Sequence, residues 1–78
     1  MSIPAVVRAW NPEEGWGIVD SDETPGGCWA HFSHVQMDGY KELSAGQAVR
    51  LVWEAAAQDG FSYRAVSVTP LQEPRPGR

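Results

Sequence analysis

The stretch EEGWGIVD (residues 13–20) sets a glycine on either side of one large indole ring. In a strand, successive side chains point to opposite faces, so Gly15, Gly17 and Val19 share one face and Trp16 and Ile18 the other. Burying Trp16 would turn both glycines outward and leave almost nothing to pack. Burying the small set instead leaves a ring outside with bare flanks. CWAHF (28–32) repeats the arrangement, with Cys28, Ala30 and Phe32 inward if Trp29 and His31 point out. Small residues inside and rings outside are what the interior of a narrow barrel requires.

Working outward, short β-rich runs alternate with turn residues, and no window of eleven or more residues keeps a helical period. PAVVRAW (4–10) is the first strand, closed by the turn signal NPEEG. WGIVD (16–20) is the second. SDETPGG (21–27) contains no apolar residue and reads as an exposed reversal. CWAHF is the third strand, and residues 33–46 form a long connection with one helical turn. QAVRLVWEA (47–55) is the fourth strand, AAQDG a hairpin loop, and FSYRAVSVT (61–69) the fifth. Five strands with a long third-to-fourth connection match a small closed barrel, which leaves no open sheet edge. Residues 1–71 are expected to form this single domain, and 72–78, EPRPGR with its preceding glutamine, a disordered tail.

Composition narrows the function. The 78 residues include four Trp, two Tyr and two Phe, with 42% apolar residues, enough for a modest core. A single cysteine excludes an internal disulfide, and neither a signal peptide nor an apolar run of membrane length is present, so the expected compartment is the cytoplasm. The net charge of −4 opposes unselective binding to duplex DNA. Two of the six basic residues, Arg75 and Arg78, lie in the tail, so the barrel itself is more acidic still.

Two outward Trps on neighbouring strands make an apolar patch of the kind that marks a binding surface. Glycine beside a ring leaves its face open to a flat ligand, and unpaired bases are such ligands, stacking on aromatic rings for about 1–3 kcal/mol each. EEGWGIV and CWAHFS resemble the two RNA-binding motifs of the cold-shock domain, a five-stranded OB-fold barrel that binds single-stranded RNA and DNA. VRAWN, QMDGYKELSAGQAV and RAVSVTPL are similar to that family in order and spacing. The resemblance covers roughly residues 5–71. It implies base stacking by Trp10, Trp16, Trp29, His31 and Phe32, with Arg8 at a strand-contacting basic position and Asn11 and Ile18 within the same surface. It also implies an RNA chaperone that disfavours RNA secondary structure without ATP.

The departures matter too. Where the family usually carries a stacking tryptophan this chain has Ala9, where it has the motif's lysine it has Glu14, and the third motif aromatic is Ile18. A ring at each of Ala9 and Ile18 and a cation at Glu14 are lost, while Trp replaces Phe at Trp16 and Trp29. The platform is shifted from charge toward stacking, with Arg64 joining Arg8 as a backbone guide and Glu14 a candidate acceptor for a base amino group. Trp10 fits either the platform or partial burial, and Phe61 and Tyr63 fit either an extended platform or an ordinary cross-strand pair. Trp53 reads as the cover of a barrel end.

Cys28, His31 and His34 suggest a metal, but strand alternation sends Cys28 and His31 to opposite faces, so none is expected. Asp20, Asp22 and Glu23 read as a solvated loop, and no residue is set up as a nucleophile, so neither a cofactor nor enzymatic activity is expected. The expected partner is single-stranded RNA or DNA bound by a monomer, with no membrane and no small-molecule substrate. The competing reading keeps the barrel but docks a peptide on its aromatic face, motivated by Ala9, Glu14 and the acidic surface.

Overall fold

In the computed structural model, residues 2–36 and 43–71 are described. Five strands carry most of them: β1 (Ile3–Asn11), β2 (Trp16–Asp20), β3 (Cys28–His31), β4 (Ala48–Gln58) and β5 (Phe61–Pro70). A 3-10 turn, Phe32–His34, follows β3. The strands close into a barrel in the order β1-β2-β3-β5-β4. Neighbours are antiparallel except β3 with β5. This is the expected all-β barrel of OB type. No helix among the described residues is long and apolar enough to cross a membrane.

Mostly small and β-branched residues, with one leucine, fill the interior: Ala5 and Val7 of β1, Val19 of β2, Cys28 and Ala30 of β3, Val49 and Leu51 of β4, and Ala65 and Val68 of β5. Val35 and Leu43 add to the core from the connection between β3 and β4. No aromatic side chain is fully buried among them. Trp10, Trp53 and Tyr63 pack against this core from partly buried positions. Val19, Cys28 and Ala30 are wholly inside, as the glycine-and-ring pattern requires.

β1 breaks the simple alternation. Val7 pairs with Val19 but Ala9 pairs with Ile18, so Arg8 is an extra, unmatched residue. Such a bulge reverses the faces beyond it. Ala5 and Val7 point inward, Arg8 and Ala9 are both exposed, and Trp10 turns toward its partner Gly17. Of the two places open to Trp10, platform or partial burial, the structure gives partial burial: its ring packs against the core beside Gly17. A methyl group at Gly17 would collide with the Ala9 carbonyl oxygen and lie 2.5 Å from Trp10 Cε3. Gly17 is required by this close approach of β1 to β2.

Three other expectations change. β4 continues to Gln58, and the hairpin shrinks to Asp59 and Gly60, whose φ values of 52° and 87° suit a two-residue turn with both residues left-handed. Ala56 and Ala57, which read as loop, are strand because the ladder that pairs Ala55 with Tyr63 resumes at Gln58 with Phe61 and carries them despite their weak β preference. The reversal at 21–27 is only partly exposed: Thr24 is buried, its hydroxyl 2.6 Å from that of Ser21, and Gly27 is buried too. Phe32 does not point inward. Strand pairing ends at His31 and the 3-10 turn leaves the Phe32 ring exposed. That turn supplies the helical turn expected in the long connection. Residues 37–42 of the connection and the tail at 72–78 lie outside the described residues.

Gly17→Ala tests the close approach. The substitution is expected to cost about 1–3 kcal/mol through overpacking. In a chain of this size each kcal/mol lowers Tm by roughly 4–8 °C. An unchanged Tm contradicts the packing described for Trp10.

Candidate nucleic-acid interface

On the outer face of β2 and β3 the ladder sets Trp16 against His31 and Ile18 against Trp29. The rings form a continuous row. Trp16 and Trp29 are 6.5 Å apart between centroids and inclined by 22°, and Trp29 and His31 are 5.8 Å apart at 21°. His31 and Phe32 follow at 4.6 Å and 45°. Phe32 reaches the end of the row because Gly15 leaves room: a Cβ there would lie 2.8 Å from Phe32 Cδ1. The Phe32 amide also donates to the Gly15 carbonyl at 2.7 Å, tying the β1–β2 turn to the 3-10 turn. Asn11 supports that turn, its Oδ1 accepting from the Glu13 and Glu14 amides at 3.1 Å each.

Different forces orient the rings. The Trp16 indole Nε1 donates to Glu14 Oε1 at 2.8 Å, so the carboxylate anticipated as a base acceptor already holds a ring of the platform. Trp29 Nε1 is buried and has no acceptor among the described residues, so packing orients that ring. His31 Nδ1 accepts the Ser33 amide at 3.3 Å and lies 2.9 Å from Ser33 Oγ, capping the 3-10 turn.

The remaining expected residues divide between the edge of the row and the barrel. Ile18, grouped outward with Trp16 by alternation, is on the outer face but buried. It is covered where Gly27 sits: a Cβ on Gly27 would meet Ile18 Cγ2 at 2.8 Å, Arg8 Nη2 at 3.1 Å and Phe61 Cε1 at 3.2 Å. Ile18, Arg8 and Phe61 thus come together at Gly27 along the edge of the row. Tyr63 packs against the core and meets Trp53 edge-on at 5.2 Å and 88°, apart from the row. Trp53 in turn donates to Glu23 Oε1 at 3.1 Å. Cys28 is inside the barrel, where burial pushes its thiol up to about 11 and keeps it an unreactive packing group.

Charge is arranged in pairs. Arg8 Nε donates to Asp20 Oδ2 at 2.9 Å and Nη2 to Oδ1 at 2.6 Å. The hydrogen bond and then the charge of Asp20 raise the Arg8 pKa above its ordinary value. Arg64 Nε donates to Glu54 Oε2 at 2.9 Å, and its Nη2 reaches the same oxygen. The sequence reading missed both pairs. A strand-pairing estimate around each turn would have found them, because it sets Arg8 near Asp20 and Arg64 near Glu54.

A closed five-stranded barrel with an open line of stacked rings on one face is an OB-type domain suited to flat ligands. Residues 4–70 match the family described as the 'Cold-shock' DNA-binding domain. A cold shock-like protein CspD of Vibrio cholerae is 36% identical over 66 residues, covering 85% of this chain and 83% of that protein. A cold shock-like protein of Aquifex aeolicus is 33% identical over 73 residues, 94% of this chain and 100% of that protein. A CspD protein of Haemophilus influenzae is 31% identical over 68 residues, with 87% and 90% covered. The chain belongs to the cold-shock domain family, whose barrels bind single-stranded nucleic acids.

Glu14→Ala removes the only acceptor for Trp16 Nε1 among the described residues. The Trp16 indole N–H resonance should shift and exchange faster with water, while that of Trp53 stays in place. An unmoved Trp16 resonance contradicts the Glu14 contact.

Proposed function

We propose that successive unpaired bases of RNA or DNA stack along Trp16, Trp29, His31 and Phe32, with Phe61 flanking the row. The observation that carries this reading is the continuity of the four rings on one face. Each spacing is close to that of neighbouring aromatic groups, so a flexible single strand can lay one base after another on them. A duplex, whose bases are already stacked and paired, presents no free face. Holding bases unpaired disfavours secondary structure by mass action, so the domain serves as an RNA chaperone without nucleotide hydrolysis.

The platform begins at Trp16. Ala9 faces Ile18 on the outer side and is exposed, so the position that carries a ring elsewhere in the family offers only a methyl group here. Trp10, Asn11, Ile18 and Tyr63 act through the barrel and its turns. The partner is single-stranded RNA or DNA in the cytoplasm, bound by one barrel, residues 1–71. Family membership favours this reading over peptide docking. Glu14, which had motivated the peptide reading, serves to hold Trp16.

Alanine substitution separates platform from core. Trp16→Ala and Trp29→Ala are each expected to weaken binding of a short oligothymidine by about 1–3 kcal/mol. Both rings lie outside the buried core, so Tm should change little. Undiminished affinity together with a collapsed Tm would show that the rings serve packing instead.

A further inference from the structure

Both cations at the edge of the row are held by a carboxylate. Ile18, Trp29, Arg64 and Glu54 lie on one line across β2, β3, β5 and β4, each opposite the next. Arg64 therefore flanks Trp29 on one side. Arg8, next to Ala9, the partner of Ile18, and with its Nη2 converging with Ile18 and Phe61 at Gly27, lies on the other side. Asp20 takes two of the Arg8 donors in the in-plane, bidentate geometry that a phosphate would use, and Glu54 takes Nε and Nη2 of Arg64. The third arginine among the described residues, Arg50, donates to the Ser2 carbonyl at 2.8 Å and to its hydroxyl at 3.3 Å, away from this face.

These contacts bear on which part of a nucleic acid the site reads. A phosphate approaching Arg8 or Arg64 meets a nearly neutral pair, and it must displace a carboxylate tethered beside the cation to gain the bidentate contact. Both pairs are half exposed, so they contribute little to stability but remain close to where a bound strand would pass. The rings carry no such competitor. Glu14 adds a further negative charge next to Trp16.

Resting on the stacking reading above, we propose that Asp20 and Glu54 are specificity-determining residues that hold Arg8 and Arg64 off the phosphates. The site then selects chains of unpaired bases almost irrespective of backbone charge. Its ligand class is a flexible, stackable base sequence, with the phosphodiester contributing little of the affinity.

The test uses the full chain and Trp-fluorescence titration with two probes of equal length, an oligothymidine and its uncharged methylphosphonate analogue, over a range of salt concentrations. The unaltered protein should bind both probes with affinities of the same order, and the affinity for oligothymidine should depend only weakly on salt. In Asp20→Asn and in Glu54→Gln, oligothymidine should bind more tightly. The slope of log K against log salt should steepen by about 0.7 for each freed cation. Methylphosphonate binding should not change. The two variants test the two pairs separately, so misfolding of one leaves the other informative. A steep salt slope and strong phosphodiester preference in the unaltered protein overturn this inference while leaving the stacking reading intact. So does an unchanged slope in a folded variant. Failure of both probes to quench the unaltered, folded protein overturns the stacking reading itself.

Discussion

Among the described glycines the tightest surroundings are those of Gly17, where β1 and β2 meet. There the Ala9 carbonyl and the Trp10 ring occupy the space where any larger residue would place its Cβ. The contact exists because Arg8 is an extra residue in β1. Without the bulge, Trp10 would lie outside and the barrel would lack a ring over Gly17. With it, the small residues Val19, Cys28 and Ala30 fit a narrow interior, and Trp16 and Trp29 have no place except the outer face. The platform is thus a consequence of how tightly the barrel is wound.

The same geometry explains how an acidic chain can bind a polyanion. Stacking energy arises from contact between faces and does not require net positive charge. The rings are half-buried against one another and oriented by neighbours: Trp16 by Glu14, and His31 by Ser33. Preorganised rings lose little side-chain freedom when a base arrives. Glu14, a liability when judged by charge, stabilises the geometry of the first ring. The described ion pairs and the Glu14 contact thus set side-chain positions on this surface.

Much of this was legible in the sequence, and the reasons are physical. Glycine and alanine alternating with tryptophan identify the inner and outer faces wherever a strand is regular, so Trp16, Trp29 and His31 were placed correctly. Local pattern cannot register an inserted residue, so platform and partial burial both stayed open for Trp10 until the bulge at Arg8 was located. Phe32 was assigned inward by alternation because nothing in CWAHF signals that pairing stops at His31. Ile18 shows a different limit: alternation gives its face correctly, but its burial depends on Gly27 of the β2–β3 loop and on Arg8 and Phe61 of other strands coming together beside it. The ion pairs Arg8 with Asp20 and Arg64 with Glu54 likewise need strand register, which composition does not contain.

The central claim, that the outer row of rings is the binding surface while the other tryptophans belong to the barrel, is tested most directly by the four indole N–H resonances during titration with oligothymidine. Trp16 and Trp29 lie in the row, whereas Trp10 and Trp53 pack against the core. Large, saturable shifts for Trp16 and Trp29, with Trp10 and Trp53 nearly unmoved, are the predicted result. Shifts centred on Trp53, or none at all from a folded protein, would contradict the account.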